Sequence, residues 1–141
     1  MQPTPSTLLA LDVGTKRIGV AVSNLSARLP RPLTTLETSE STPQDIYDIV
    51  VKQGSVGLVV GLPRGLEGQE TAQTKLVRDF TEALKSTVQL PYYWQDEALT
   101  SRKAEEELEA RGKPYKKGDI DALSATYILE DFLHDHPEVI A

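Results

Sequence analysis

Cysteine is absent from this sequence of 141 residues, and its absence excludes three kinds of chemistry. A chain without cysteine forms no disulfide, binds no metal through thiolates and has no cysteine nucleophile. Long apolar runs are absent too, because no stretch approaches the roughly 20 residues that cross a bilayer. The first residues, MQPTPST, lack the basic start and apolar core of a signal peptide. These features are compatible with a cytoplasmic protein that has no membrane segment and begins with a flexible tail over residues 1–6.

Basic residues are outnumbered by acidic ones. The chain has 15 lysines and arginines against 21 aspartates and glutamates, which gives a formal net charge of -6. This balance argues against non-specific nucleic-acid binding, which depends on the neutralisation of phosphates. The basic residues are nevertheless clustered. Lys16 and Arg17 are adjacent, and one short segment contains Arg111, Lys113, Lys116 and Lys117.

The length and the 39% hydrophobic content suit one compact domain over residues 1–141, with a C-terminal tail over 135–141. Short apolar runs predict five strands, and apolar residues at helical spacing predict four helices. The predicted strands cover residues 8–13, 17–23, 32–36, 56–62 and 89–95, and the predicted helices cover 42–54, 71–85, 100–111 and 119–134. Strands that alternate with helices indicate an α/β protein with a mixed sheet and helices on its faces.

Three acidic residues are the candidates for a shared site. Asp12 lies inside an otherwise apolar strand, where an ionised carboxylate is costly unless a cation or hydrogen-bond donors compensate it. Glu97 follows the fifth strand, so it can reach the same edge of the sheet, where ligands usually bind. On the last helix, Asp121 belongs to a stripe of small and apolar residues that is expected to pack on the sheet. Asp119 is better placed to cap this helix.

Carboxylates that converge within a few ångströms repel one another, and divalent cations reverse that effect. Oxygen ligands suit Mg²⁺ or Mn²⁺, and two such ions can activate a water and stabilise the leaving oxygen of a phosphodiester. Taken singly, each acid is more often a turn residue, a cap or a first-turn acid that favours the helix dipole. The three acids together make a shared metal site at Asp12, Glu97 and Asp121 as good an interpretation as three separate structural roles.

The basic segment RGKPYKK is the candidate nucleic-acid contact. Its lysines Lys113, Lys116 and Lys117 can bind phosphates and Tyr115 can stack on a base, although a mobile, soluble loop is an equally good interpretation. Lys16 and Arg17 are either phosphate contacts or solvated charges at a hairpin tip. The histidines of the C-terminal HDHPEV segment are interpreted as part of a solvated tail.

Four motifs, LLALDVGTKRIGVAVS, VVGLPRGLEGQE, DEALTS and DIDALSATYIL, resemble the YqgF family of pre-16S rRNA nucleases in order and spacing. The family has also been described as Holliday-junction-resolvase-like. The resemblance extends from about residue 8 to residue 133. It implies an RNase H-like fold with a central five-stranded mixed sheet, and a cytoplasmic protein that matures the 5′ end of 16S rRNA during ribosome biogenesis.

The family's acids fall on Asp12, Glu97 and Asp121, which implies metal-dependent phosphodiester hydrolysis with Mg²⁺ or Mn²⁺. Two alternatives stay open: a Holliday-junction resolvase acting on branched DNA, and a non-catalytic module that binds RNA or a ribosomal partner. The DVGT sequence also occurs in the phosphate-binding hairpin of sugar kinases and related ATPases, but 141 residues cannot build their two domains. A monomer and a homodimer are both compatible with the sequence.

Overall fold

A computed structural model of the protein describes residues 6–97 and 100–138. The predicted flexible tail over residues 1–6 lies outside these ranges except for Ser6, and residues 139–141 of the predicted C-terminal tail lie outside them as well. Within the described ranges, no helix is long and apolar enough to cross a membrane.

Over residues 6–97 and 100–138, five strands and four helices follow one another in the predicted order. The strands are β1 (Thr7–Val13), β2 (Arg17–Asn24), β3 (Arg31–Glu37), β4 (Ser55–Pro63) and β5 (Tyr92–Glu97). The helices are α1 (Thr42–Gln53), α2 (Ala72–Leu84), α3 (Thr100–Ala110) and α4 (Lys117–Asp135). Each observed element overlaps its predicted range, so the assignment of element types from the sequence is confirmed.

The strands form one mixed sheet in the order β3-β2-β1-β4-β5. β1 and β2 form an antiparallel hairpin in which Asp12 lies opposite Gly19. β3 pairs antiparallel with β2 at one edge. β4 pairs parallel with both β1 and β5, so the carboxyl ends of these three strands lie along the same edge of the sheet, which is different from the edge formed by β3. The edge with the carboxyl ends carries Asp12 near the end of β1 and Glu97 at the end of β5.

Alternating residues of the buried strands build a separate core on each face of the sheet. One core joins Leu9, Leu11 and Val60 to side chains of α1 and α2. The other joins Leu8, Ala10 and Val59 to α4, whose face includes Ile128 and Phe132. α3 packs on the outer side of α4 through Ala104 and Leu108. The sheet therefore lies between two helical layers, and α4 covers the face that also carries Asp12.

Most predicted boundaries lie within one residue of the observed ones, and the starts of two elements differ by two residues or more, each for a local reason. β5 begins at Tyr92 rather than at residue 89, and Pro91 just before it has no amide hydrogen to give to a strand ladder. α4 begins at Lys117 rather than at Asp119. The carboxylate of Asp119 accepts a hydrogen bond from the Lys116 amide at 2.8 Å, so Asp119 caps the helix from inside its first turn.

Candidate active site

Asp12 lies on the face of β1 that α4 covers. Leu8 and Ala10 share this face, and strand alternation places Asp12 with them. The side chain is half-buried, at the point where the strand approaches the edge of the sheet. The position combines partial burial with access from solvent, which a site that acts on an external substrate needs.

Gly19 brings Asp121 to the same place. A Cβ atom at Gly19 would overlap the backbone carbonyl of Asp121 and would lie 2.8 Å from the amide nitrogen of Ala122. Only glycine therefore lets the first turns of α4 lie directly on β2. Because Gly19 is also the cross-strand neighbour of Asp12, the close approach of the helix sets Asp121 beside Asp12.

The two carboxyl groups interact electrostatically. Burial, and after it the negative charge of Asp121, together raise the pKa of Asp12 to about 7. Both causes disfavour the ionised form of Asp12. A bound cation would reverse this preference, because it would compensate both charges at once.

Arg17, the first residue of β2, contacts Asp121. Its Nε donates a hydrogen bond to Oδ2 of Asp121 at 2.6 Å, and about a third of the arginine side chain remains exposed. In the structure Arg17 is therefore the ion-pair partner of Asp121, a candidate site acid. The sequence predicted either a phosphate contact or a solvated charge for Arg17 and did not predict this ion pair. Lys16 is exposed at the adjoining turn, where its backbone carbonyl accepts from the Thr38 amide at 2.9 Å.

Glu97 is half-buried at the end of β5, and its partner is an acid that the sequence analysis did not single out. Burial, a hydrogen bond with Asp131 and the charge of Asp131 raise the pKa of Glu97 to about 8. Asp135 adds to this effect, and Lys103 opposes it. The two carboxyl groups can share a hydrogen bond only when one of them holds a proton. Asp131 is three residues after Ile128 on α4, and this spacing is the sequence signal for its position near the sheet.

The acids therefore form two contacts rather than one cluster. Asp12 interacts with Asp121, and Glu97 interacts with Asp131. In the described ranges, no group of three acidic or histidine side chains is arranged to hold a metal ion. β4 lies between β1 and β5, so the strands of Asp12 and Glu97 are about 10 Å apart at the usual strand spacing.

The donor chemistry around Asp12 suits a hard divalent cation. Asp12 and Asp121 offer carboxylate oxygens only, which Mg²⁺ and Mn²⁺ prefer. Ser124 follows Asp121 by three residues on α4 and is fully buried. Its hydroxyl has no hydrogen-bond partner in the part of the chain that the structure describes. It is an unsatisfied oxygen about one turn along α4 from Asp121, and a bound water or ion is one way to satisfy such a group.

The basic segment borders the same end of α4. Lys113, Lys116 and Lys117 are exposed and Tyr115 is half-buried. Arg17 and Lys116 line one surface hollow of about 560 Å³, called the Arg17 hollow below. This hollow connects the basic segment with the arginine that holds Asp121.

The two histidines lie at the other end of α4. His134 is exposed, and the His136 ring packs on Phe132 with 4.4 Å between ring centroids. Nδ1 of His136 is 3.2 Å from a carboxylate oxygen of Glu138. α4 extends to Asp135, so the helix reaches the first residue of the predicted C-terminal tail.

This chain is similar in sequence to one family of known proteins. A family model described as "RuvX: Holliday junction resolvase" matches residues 6–135. A "Putative pre-16S rRNA nuclease" of Chloroflexus aurantiacus is 42% identical over 130 residues, which cover 89% of this chain and 85% of the relative. A relative of the same name from Crocosphaera subtropica is 42% identical over 130 residues, which cover 89% of this chain and 90% of the relative. Another, from Rickettsia canadensis, is 37% identical over 134 residues, which cover 92% of this chain and 87% of the relative.

Solved structures of low sequence identity share the fold. RuvC of Thermus thermophilus aligns with a TM-score of 0.56 at 15% identity over 93% of this chain and 96% of that chain. The Holliday junction resolvase of fowlpox virus aligns with a TM-score of 0.55 at 9% identity over 92% of this chain and 99% of that chain. The likeness confirms the predicted RNase H-like α/β fold with its five-stranded mixed sheet.

Proposed function

Because this chain belongs to the RuvX family of nucleases, we propose that it is a divalent-metal-dependent nuclease that processes the 5′ end of pre-16S rRNA. The names of the curated relatives support the substrate, and the match spans nearly the whole of each chain. The proposal includes a single nuclease domain over residues 1–141 and action in the cytoplasm.

One observation carries the proposal: two carboxyl groups from distant parts of the sequence lie together at a solvent-accessible edge of the sheet. Asp12 comes from β1 and Asp121 from α4, and burial together with the charge of Asp121 raises the pKa of Asp12 to about 7. A structural role would be filled better by an uncharged residue, since the pair destabilises its own ionised form. A pair of this kind is suited to binding a cation.

Asp12 and Asp121 are the residues that we propose to hold the metal ion. A bound Mg²⁺ or Mn²⁺ would supply a polarised water and charge stabilisation for the leaving oxygen. Ser124 offers a third oxygen on the same helix. Glu97 stays the predicted third acid, because it ends a parallel strand at the same edge, and Asp131 is its hydrogen-bond partner there.

The basic residues would position the substrate. Arg17 already forms a hydrogen bond with Asp121, and its exposed part can contact a substrate phosphate beside the acids. Lys113, Lys116 and Lys117 would hold phosphates farther along the chain of the nucleic acid. Their positive charge is local, so the protein can bind one strand of RNA although its net charge is -6.

A second candidate function is resolution of branched DNA. The description of the matching family model and the fold of the solved neighbours favour it. Both functions use the same acids, and they differ in the substrate that the surface around those acids accepts.

The test compares three labelled substrates: the pre-16S 5′ leader, an unrelated single-stranded RNA and a four-way DNA junction. Each is incubated with the protein in Mn²⁺, in Mg²⁺ and in EDTA. We expect metal-dependent cleavage of the leader, faster than cleavage of the junction, with products that carry a 5′-phosphate. Preferred cleavage of the junction would contradict the rRNA proposal, and cleavage in EDTA would contradict metal dependence.

Asp12→Asn should abolish the cleavage, and Asp48→Asn is the matched control. Asp48 is an exposed aspartate of α1, on the opposite side of the sheet from α4, and its carboxylate accepts a hydrogen bond only from Gln44 among the described contacts. If both variants cleave like the natural protein, the site lies elsewhere. If neither variant nor natural protein cleaves any substrate, a binding role replaces the nuclease proposal.

A further inference from the structure

A second hollow lies beyond the Arg17 hollow, between the edge strand β3, the α3–α4 connection and α4. Its volume is about 260 Å³, just below the roughly 300–1,000 Å³ of pockets for drug-sized ligands. Apolar and ring-containing side chains form much of its lining: Pro32, Leu108, Pro114, Tyr115 and Leu123. This space, called the Tyr115 hollow, suits a single flat ring system rather than a long ligand.

Positively charged side chains also line this hollow. Arg111 and Lys113 both line the Tyr115 hollow. Nη2 of Arg111 is paired with Glu107 at 3.0 Å, whereas Lys113 forms no ion pair within the described residues. A hollow with an aromatic wall and a cation on its rim combines the two features that recognise a nucleotide: stacking for the base and positive charge for its phosphate.

Two acidic neighbours of the hollow already accept hydrogen bonds. Asp119 contributes to the lining, and its carboxylate accepts the Lys116 amide at 2.8 Å. Glu109 accepts a hydrogen bond from the Tyr115 hydroxyl at 3.3 Å. The tyrosine ring itself packs against the small core that includes Leu108 and Leu123, so the ring has a defined place in the wall before any ligand binds.

The two hollows are adjacent and lead to the candidate active site. Pro32, Asp119 and Ala122 line both of them. The Arg17 hollow continues to Arg17, which donates to Asp121. Asp119 and Ala122 lie within one turn of Asp121 on α4, and a turn rises about 5.4 Å. A strand that follows the two adjoining hollows would therefore pass from Tyr115 to Arg17 and the acid that Arg17 contacts.

We infer that the Tyr115 hollow binds one unpaired nucleobase of a single-stranded RNA substrate, next to the bond that the protein cleaves. The inference rests on the proposed nuclease function and deepens it, because it specifies the strandedness of the substrate. Tyr115 stacks on the base, Lys113 binds the adjoining phosphate, and the strand continues through the Arg17 hollow to Asp121. A base inside a duplex is stacked and paired on its neighbours, so it cannot enter this hollow.

The test is the affinity of fluorescently labelled single-stranded RNA, measured by anisotropy in EDTA so that binding occurs without cleavage. Tyr115→Ala should weaken binding between about fivefold and about 150-fold, the range for loss of one base–aromatic stack. Tyr115→Phe keeps the ring and should bind like the natural protein. Tyr47→Ala is the matched control, because Tyr47 is a partly exposed tyrosine of α1 on the opposite face of the sheet.

A set of RNAs, each with an abasic ribose at a different position, identifies which nucleobase of the strand occupies the Tyr115 hollow. A single abasic position should weaken binding to the natural protein by the same factor as Tyr115→Ala, and should have no further effect on that variant. A perfect duplex of the same sequence should be insensitive to Tyr115→Ala. Unchanged affinity of Tyr115→Ala, no sensitive abasic position, equal sensitivity of the duplex, or no binding of single-stranded RNA would each overturn the inference. Melting temperatures of the variants separate these outcomes from misfolding.

Parallel cleavage assays in Mn²⁺ keep the two proposals distinguishable. Tyr115-dependent binding without any cleavage would contradict the nuclease proposal and leave the base site supported. Cleavage of RNA that does not depend on Tyr115 would overturn the base site alone. A hollow that serves a protein side chain instead would leave RNA affinity unchanged in Tyr115→Ala.

Discussion

Gly19 gives the backbone of Asp121 the space to lie directly on β2. The Cβ of any other residue at position 19 would overlap the Asp121 carbonyl, and the strand partner of Gly19 is Asp12. One residue without a side chain thus links the two acids that we propose to bind the metal. The position of α4 on the sheet therefore brings the two acids together, and the hydrogen bond from Arg17 then holds the Asp121 carboxylate.

Gly19→Ala should therefore displace α4 and lower both stability and activity. The clash involves backbone atoms, which cannot rotate away, so the expected loss in the free energy of unfolding is about 3 kcal/mol or more. Chemical denaturation measures it. Gly118→Ala is the comparison for stability, because the nearest atoms to a Cβ there are Thr35 side-chain atoms at 3.4–3.6 Å, an ordinary van der Waals contact. Equal stability of the two variants would contradict the account.

The stability of the metal-free protein should fall as pH rises from about 4 to about 7. The folded state raises the pKa of Asp12 to about 7, so in this window folded Asp12 keeps a proton that the unfolded chain has lost. The folded state therefore binds more protons, and the free energy of unfolding decreases with pH until Asp12 ionises in both states. Glu97, with a pKa raised to about 8, contributes in the same direction.

Asp12→Asn removes one of these two contributions. The variant should be more stable than the natural protein at pH 8, on the order of 2–4 kcal/mol after allowance for partial exposure of the side chain. The difference should shrink towards pH 4. Denaturation in EDTA over this pH range measures it, and a variant that is less stable at pH 8 would show that Asp12 is a structural residue.

Mn²⁺ should raise the melting temperature of the natural protein. An ion that binds only the folded state stabilises it by about 2.7 kcal/mol at 100 times its dissociation constant. Asp12→Asn and Asp121→Asn should lose this stabilisation, whereas the control Asp48→Asn should keep it. A shift of the same size in all four proteins would place the ion away from the candidate site.

Arg17→Ala should have opposite effects on the affinity of the protein for Mn²⁺ and on its affinity for RNA. The guanidinium donates to Oδ2 of Asp121 at 2.6 Å, where it competes with a cation for the carboxylate. Without it, the affinity for Mn²⁺ should increase several-fold, and the affinity for RNA should decrease because a phosphate contact is lost. Calorimetric titration measures the affinity for Mn²⁺, and fluorescence anisotropy measures the affinity for RNA.

Arg78→Ala, which removes an exposed ion pair with Glu70, is the control and should change neither affinity. Unchanged Mn²⁺ affinity in Arg17→Ala would contradict the competition.

The fold was predictable from the sequence because its signals are local. The apolar runs of β1, β2 and β4 and the helical spacing of α1 and α2 each identify an element without reference to the others. Asp12 stood out because it interrupts an apolar strand, and Asp121 because it begins the apolar stripe of α4. The start of α4 was misplaced by two residues, since its cap depends on the Asp119 carboxylate reaching back to the Lys116 amide.

Contacts between distant elements were not predictable in the same way. The pairing of Glu97 with Asp131 depends on the sheet order, which inserts β4 between β1 and β5, and on the path of α4 across the sheet. The role of Gly19 depends on the depth at which α4 packs. Residue spacing indicates that Asp131 lies on the sheet-facing side of α4, but it specifies neither the partner of Asp131 nor the depth of the helix. The sequence therefore predicted three converging acids, whereas the structure places two acids together and gives Glu97 a different partner.

The most direct test of the central claim is a double-mutant cycle on the cleavage rate. Single-turnover cleavage of the pre-16S leader in Mn²⁺ is measured for the natural protein, Asp12→Asn, Asp121→Asn and the double variant. If the two acids form one metal site, each single change should lower the rate at least about 100-fold, and the double variant should be no slower than the slower single variant. Rates close to that of the natural protein in either single variant, or losses that multiply in the double variant, would contradict a shared site at Asp12 and Asp121.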